Sequence, residues 1–392
     1  MVNRSLNLSQ LLKTNKSAFL FGPRGVGKTS LSQQFVASLP PFLEIDLLQH
    51  EFFSRYISNP GLFGKEVEAQ LKDRAVLTVF IDEVQKLPAL LDEVHSLMER
   101  HKGHVRFLLT GSSARKLKRG GANLLAGRAW SLHLHPLTHL ECDIDLSRAL
   151  QFGTLPAVYL EDSVPQRTLK AYVETYLKEE IMQEALVRRV DAYVRFLDVA
   201  GQMNGEPINY TKMAMDCGVS TKTSQEHVAI LVDTLIAFQV NAWTYSIRKQ
   251  LRQSPKIYFF DCGVLNAIRG ELGTQLKRGT YRYGKLFETF VVQELFRLND
   301  YMETGYRFYY WRTNTGLEVD IVLSRGAAQR PIAIEIKSKE APQGMDLHAL
   351  KSFRSENKDA LLYCLSDSPR SYKIGDVMVY PWREGLHRIF KF

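Results

Sequence analysis

Residues 22–29 read Gly-Pro-Arg-Gly-Val-Gly-Lys-Thr, with an apolar run before them and a helix-like run after. A segment of this kind can cradle a phosphate chain. Its glycines let the backbone curl until successive N–H groups point at phosphate oxygens, where side chains would obstruct. The candidate nucleotide contacts are therefore Gly22, Pro23, Arg24, Gly25, Val26, Gly27, Lys28, Thr29 and Ser30. Lys28 reaches the β and γ phosphates, the Thr29 hydroxyl ligates Mg²⁺, and the following helix N-terminus adds a favourable field. A second segment, VLTVFIDEVQKL, is an apolar run ending in Asp82 and Glu83. Asp82 can hold the Mg²⁺ through water, and Glu83 can polarise the water that attacks the γ-phosphate. Acidic strand ends also occur at plain surfaces, so the weight rests on the two motifs together, which point to ATP and Mg²⁺.

Another group of reactive residues lies near the carboxyl terminus: Glu288 in GKLFETFVVQEL, Asp320 in LEVDIVL, and Glu335 with Lys337 in IAIEIKSK. Two positions apart on a strand, Glu335 and Lys337 emerge on one face. Three carboxylates around Mg²⁺ or Mn²⁺, with Asp320 and Glu335 as ligands, can bind a scissile phosphate and lower the pKa of an attacking water. Lys337 would position that water or offset charge in the transition state. Alternating strands with exposed charge also produce a Glu-x-Lys triplet. Charges between Ile334 and Ile336, however, are expensive in a core strand unless a metal or partner compensates them.

The elements that must carry these residues follow from hydrophobic patterning. From residue 18 to about 137, the runs AFLFG, PFLEIDL, VLTVFID, VRFLLTG and WSLHLHP alternate with amphipathic stretches, which predicts a parallel sheet covered by helices. Residues 139–205 carry apolar residues at three- and four-residue spacing and read as a helical lid. Residues 206–275 give helix, turn, helix and hairpin, the winged-helix order. Residues 276–392 give a helix, the strands FYYWRT, LEVDIVL, IAIEIKS and ALLYCLS, and a helix near DLHALKSFR, a compact α/β unit of its own. The expected division is thus 1–138, 139–205, 206–275 and 276–392.

In the winged-helix segment, Thr221, Lys222, Thr223, Ser224, Gln225 and His227 open the second helix, the part that enters a major groove when such a module binds DNA. His227 reads as a surface or packing residue. Arg248, Lys249, Arg252 and Lys256 fall on the wing and suit phosphate contacts. Winged helices also serve as plain domain linkers. Arg115, Lys116, Lys118 and Arg119 form a basic cluster that reads first as a solvated helix face and second as a polyanion contact.

Taken together, GPRGVGKTS, FIDEVQKL and LLTGSSARKL resemble the AAA+ and related STAND-type ATPases. The resemblance implies further roles. Thr110 and Ser112 match the sensor 1 position, which touches the γ-phosphate or the attacking water; a plain turn after a buried strand is the alternative. Arg128 in LAGR matches an arginine finger aimed at a neighbouring subunit's nucleotide, and a surface ion pair is the alternative. FGTLPAVYL resembles the GxP element of STAND-type lids, making Pro156 a candidate adenine contact alongside ordinary helix punctuation. No sensor 2 arginine is identifiable. The carboxyl-terminal quartet resembles the PD-(D/E)xK nuclease superfamily. Over nearly its full length the chain resembles a family joining an AAA-type ATPase, through a winged helix, to a DUF4143 domain with a nuclease-like fold. YFFDCGVLNA, GKLFETFVVQEL, EVDIVL and IEIKSK are its later landmarks. In that family the quartet does not guarantee cleavage.

Composition bounds these readings. With 392 residues, 45% of them hydrophobic, the chain is long enough for two or three domains with cores of their own. It carries no apolar leader and no run long enough to span a membrane, which predicts a cytoplasmic protein. The four cysteines stand apart without a CxxC pair, so disulfides and cysteine-bound zinc are not expected, and the thiols should be buried. The excess of 51 Lys+Arg over 42 Asp+Glu suits a polyanionic partner such as DNA. The expected function is Mg²⁺-dependent ATP hydrolysis coupled to DNA remodelling or processing, in a homo-oligomeric ring such as a hexamer. The alternative is a nucleotide-dependent switch or scaffold whose nuclease-like domain is silent.

Overall fold

The computed structural model of the chain describes residues 2–39, 41–72, 74–112, 115, 117, 125, 127–161, 163–177, 190–244, 253–326 and 329–392. It divides into two compact units: Met1–His135 with Asp233–Ile236, and Pro136–Val232 with Ala237–Phe392.

In the first unit the five apolar runs become strands β1 (Ser17–Phe21), β2 (Phe42–Asp46), β3 (Leu77–Asp82), β4 (Val105–Gly111) and β5 (Ala129–His133). They form one sheet in the order β2-β3-β4-β1-β5, with every neighbouring pair parallel. β1 and β3 are buried throughout, which explains why they read as continuous apolar runs without alternation. One face of the sheet, through Phe19, Phe21, Val79, Ile81, Phe107 and Leu109, belongs to a core that includes Tyr56, Phe63, Val67, Leu90, Val94 and Leu97. The latter come from the helices His50–Ser58, Pro60–Leu71 and Leu90–Arg100, whose three- and four-residue apolar spacing presents one stripe to the sheet. Because β1 lies between β4 and β5, the carboxyl ends of β1, β3 and β4 open side by side, the usual place for a ligand in an open α/β sheet.

The second unit is built on an eight-stranded sheet with the order β12-β13-β11-β10-β9-β8-β6-β7. Its strands are β6 (Ala237–Ala242), β7 (Lys256–Phe259), β8 (Arg307–Arg312), β9 (Glu318–Ser324), β10 (Ile332–Lys337), β11 (Leu361–Ser366), β12 (Tyr372–Ile374) and β13 (Val377–Pro381). The four strands expected from the sequence are β8 to β11; β12 and β13 add an antiparallel pair turned at Gly375. The helix Tyr281–Tyr301 is buried along most of its length and carries Glu288. Ahead of the sheet, the helices Tyr210–Cys217 and Thr221–Asp233 are separated by Gly218 in a left-handed conformation. The hairpin β6–β7 follows them, and the end of β6 pairs with β8, so the hairpin extends the large sheet.

Buried charge ties this unit together. Arg297 donates to the carbonyls of Leu137 and Phe260 and to Thr154 Oγ1, while its neighbour Glu294 accepts from the backbone N–H of His139 and meets His139 Nδ1 at 2.5 Å. Asp261 caps the helix Cys262–Ile268 through Gly263 and Val264 N–H groups and also accepts from Thr154. Burial pushes the Asp261 carboxyl above its ordinary value, and Arg297 and the three N–H donors pull the other way. Cys217, Cys262 and Cys364 are buried free thiols, and Cys142 is half-buried. No helix among the described residues is long and apolar enough to cross a membrane.

Candidate functional site

β1 ends at Phe21, and the glycine-rich loop turns from it into the helix Lys28–Ala37. Gly22 is required by contact: a Cβ there would lie 2.3 Å from the carbonyl oxygen of Leu134. Gly25 and Gly27 take φ of 83° and 94°, a region that side chains disfavour. Val26 is buried and anchors the loop, whereas Arg24, Gly25, Thr29 and Ser30 are exposed. Lys28 is buried and donates to the carbonyls of Gly22 at 2.8 Å and Pro23 at 3.1 Å, which sets its ammonium across the loop.

Three strand ends converge beside Lys28. Thr29 Oγ1 donates to Asp82 Oδ2 at 2.7 Å, and Thr110 Oγ1 donates to Asp82 Oδ1. The backbone N–H of Glu83 returns to Thr110 Oγ1 at 3.1 Å. A hydroxyl and a carboxylate are the hard oxygen donors that Mg²⁺ takes from protein when phosphates and water complete its shell, so Thr29 and Asp82 fit that ion. Glu83 adopts φ 57°, an uncommon conformation for a side-chain-bearing residue, held here by the hydrogen bond to Thr110. The structure thus brings Lys28, Thr29, Asp82, Glu83 and Thr110 together, and Ser112 joins them through a residue that sequence reasoning missed. Gln85 Nε2 donates to Glu83 Oε2 and to Ser112 Oγ at 3.3 Å. Its amide lies over Gly111, where a Cβ would come within 2.6 Å of Gln85 Oε1. The only sequence signal for it was its position two residues after Glu83.

Arg128 does not join this site. It precedes β5 at the amino-terminal edge of the sheet, about one five-residue strand, or ~16 Å, from the strand ends that carry the loop. Its guanidinium pairs with Glu99 at 2.6 Å, and that hydrogen bond lowers the Glu99 carboxyl below its ordinary range. Of the basic cluster, Arg115 pairs with Asp233, and Lys116, Lys118 and Arg119 lie outside the described residues. Pro156 belongs to the second unit, just before a wide helical turn at Ala157–Glu161.

In the second unit the carboxyl-terminal quartet does assemble. Lys337 Nζ donates to Glu335 Oε1 at 2.6 Å, and the N–H of Ile336 donates to Asp320 Oδ2 at 2.7 Å. Glu288 accepts from the Tyr258 hydroxyl at 2.9 Å and from Lys285 at 3.4 Å. Burial, with repulsion from Glu288, raises Asp320 to about 6, and Lys337 and Lys256 oppose the shift. Burial and Asp320 likewise raise Glu335, against Lys337. Among the described residues no group of three His, Cys, Asp or Glu side chains is arranged to hold a metal ion. Both Glu288 oxygens and one oxygen each of Asp320 and Glu335 accept from protein donors, while Glu335 Oε2 is buried without a hydrogen-bond partner.

The residues expected on a winged helix are divided. Thr221, Lys222 and Gln225 are exposed, Thr223 is half-buried, and Ser224 is buried. His227 is a packing residue, buried edge-on against Tyr193 and Phe196 with ring centroids at 4.9 and 5.0 Å, and burial lowers its pKa. Lys256 is not a wing cation: it is fully buried and paired with Glu318. Arg248, Lys249 and Arg252 lie outside the described residues.

The profile described as "AAA domain" matches residues 14–142, "Domain of unknown function (DUF8612)" matches 143–275, and "Domain of unknown function (DUF4143)" matches 283–384. The chain therefore carries an AAA domain toward its amino terminus and a DUF4143 domain toward its carboxyl terminus. It is similar to the uncharacterized proteins Rv2008c of Mycobacterium tuberculosis and Mb2031c of Mycobacterium bovis. Each is 27% identical over 328 residues, which span 82% of this chain and 70% of theirs. A solved structure of PCH-2 from C. elegans aligns with 16% identity and a TM-score of 0.26, covering 56% of this chain and 64% of that one.

Proposed function

We propose that this chain is a Mg²⁺-dependent ATP hydrolase whose turnover is coupled to DNA binding and remodelling. The observation that carries the reading is the single hydrogen-bonded chain Thr29–Asp82–Thr110–Glu83 beside Lys28. The loop amides and Lys28 bind the triphosphate, Glu83 orients the attacking water, and Thr110 with Ser112 reports on the γ-phosphate. Held by Thr29 and Asp82, a Mg²⁺ would neutralise charge on the β and γ oxygens. Arg128 lies too far from its own loop to act there, which favours service to a neighbour's nucleotide in a ring of identical subunits. Support for DNA as the partner comes from the net charge of +9 and the exposed Thr221, Lys222 and Gln225. Hydrolysis measured across supercoiled, branched and single-stranded DNA at fixed salt tests the coupling. Stimulation by one shape names the substrate, and an unchanged rate with every shape removes DNA from the proposal.

One observation favours a second reading, in which the chain is a nucleotide-dependent switch with a silent nuclease-like domain: the quartet is paired internally by Lys337, Lys285 and Tyr258. DNA incubated with Mg²⁺ or Mn²⁺ and wild type, Asp320→Ala or Lys337→Ala protein separates the two. Cleavage lost in both variants selects the nuclease, and neither binding nor cleavage selects the switch.

A further inference from the structure

One cation beside the phosphate loop takes no part in the roles above. Arg4, well upstream of the glycine-rich motif, sends Nη1 to the carbonyl oxygen of Val26 at 2.7 Å and Nη2 to that of His135 at 2.5 Å. His135 lies just past β5, next to Leu134, whose carbonyl fills the space over Gly22 and whose N–H donates to Phe21 at 2.8 Å. The same guanidinium faces Gly27, where a Cβ would lie 3.6 Å from Nη1. Two cations thus hold the loop by its carbonyls: Lys28 takes those of Gly22 and Pro23, and Arg4 takes that of Val26.

The consequence follows from peptide geometry. In a planar trans peptide the C=O and the N–H point in opposite directions. Fixing the Val26 carbonyl toward Arg4 therefore turns the Gly27 N–H away from Arg4. Gly27, at φ 94°, has no side chain to resist other orientations of that peptide. The planar fork of an arginine can bridge two carbonyls at once, which a lysine ammonium does with far less geometric definition.

We propose that Arg4 is a positioning residue for the phosphate loop: by clamping Val26 to His135 it presets the Gly27 amide for a phosphate oxygen. The inference rests on the loop binding ATP. It is tested on the full chain by calorimetric titration with ATP and by steady-state hydrolysis, comparing wild type, Arg4→Ala, Arg4→Lys and Lys28→Ala. Loss of two preset contacts should raise the Kd and KM for ATP by about tenfold or more in Arg4→Ala, with kcat at saturation changed by less than about threefold. Arg4→Lys should recover part of the affinity, and it carries the test alone should Arg4→Ala fail to fold. Wild-type KM in the variants, with or without a lowered melting temperature, overturns the proposal, as does a fall in kcat at constant KM. Unchanged binding and turnover in Lys28→Ala would instead remove the ATP site itself. Loss in Lys28→Ala with no effect at Arg4 removes only the role of Arg4.

Discussion

Thr110, at the end of β4, donates its hydroxyl to Asp82, at the end of β3, and through the same oxygen accepts the backbone N–H of Glu83. One hydroxyl therefore fixes both acidic residues of the motif. Thr110→Val keeps the shape and removes the oxygen, leaving a buried carboxylate oxygen and an N–H unpaired. The expected cost is about 1–3 kcal/mol of stability, together with a drop in kcat of about tenfold or more. Denaturant melts and ATPase assays read both, and a variant matching wild type in each would show that Thr110 is only a turn residue.

The Glu83 carboxylate is held by Gln85, and Gln85 has room only because residue 111 is glycine. Glu83→Gln should retain ATP binding while turnover falls by about 10²–10⁴. Gly111→Ala should push the Gln85 amide aside and lower kcat with little change in KM. Wild-type turnover in Glu83→Gln would deny the residue its role.

Arg128 is about 42% exposed and pairs with Glu99 at the edge of the sheet away from the loop. Water screens an exposed pair of this kind, so Arg128→Ala should fold and melt like wild type while losing hydrolysis. Mixing it with inactive Lys28→Ala protein should restore activity, with a maximum at intermediate ratios. A flat response at every ratio would mean that no neighbouring site is completed.

Asp320 is raised to about 6 by burial and by Glu288. Because its folded pKa lies above the unfolded value near 3.8, the folded state binds the extra proton. That stabilising contribution is full below about pH 4 and is lost as pH rises through about 6. Asp320→Asn should therefore be more stable than wild type above pH 6 and nearly equal to it below pH 4. Melts across pH 4–8 without added metal check the sign, and a wild-type advantage at pH 7.5 would reverse it.

Much of this protein was legible along the chain. The phosphate loop, the Asp82-Glu83 strand end and all five strands of the first sheet follow from local chemistry, since glycine curvature, apolar runs and terminal carboxylates are properties of consecutive residues. The same holds for Glu335 and Lys337, which share a face because they are two apart on β10. Tertiary structure decided what depends on distant partners. Lys256 reads as a wing cation until Glu318 is found beside it, and only the folded chain shows Tyr258, Lys285 and Lys337 donating to the carboxylates of the quartet. Gln85 and Arg4 acquire meaning only when β4 and the end of β5 are folded against the loop. A residue's type and spacing state what it can bind, but whether that capacity is already spent on a neighbour is fixed by chain segments far away in sequence.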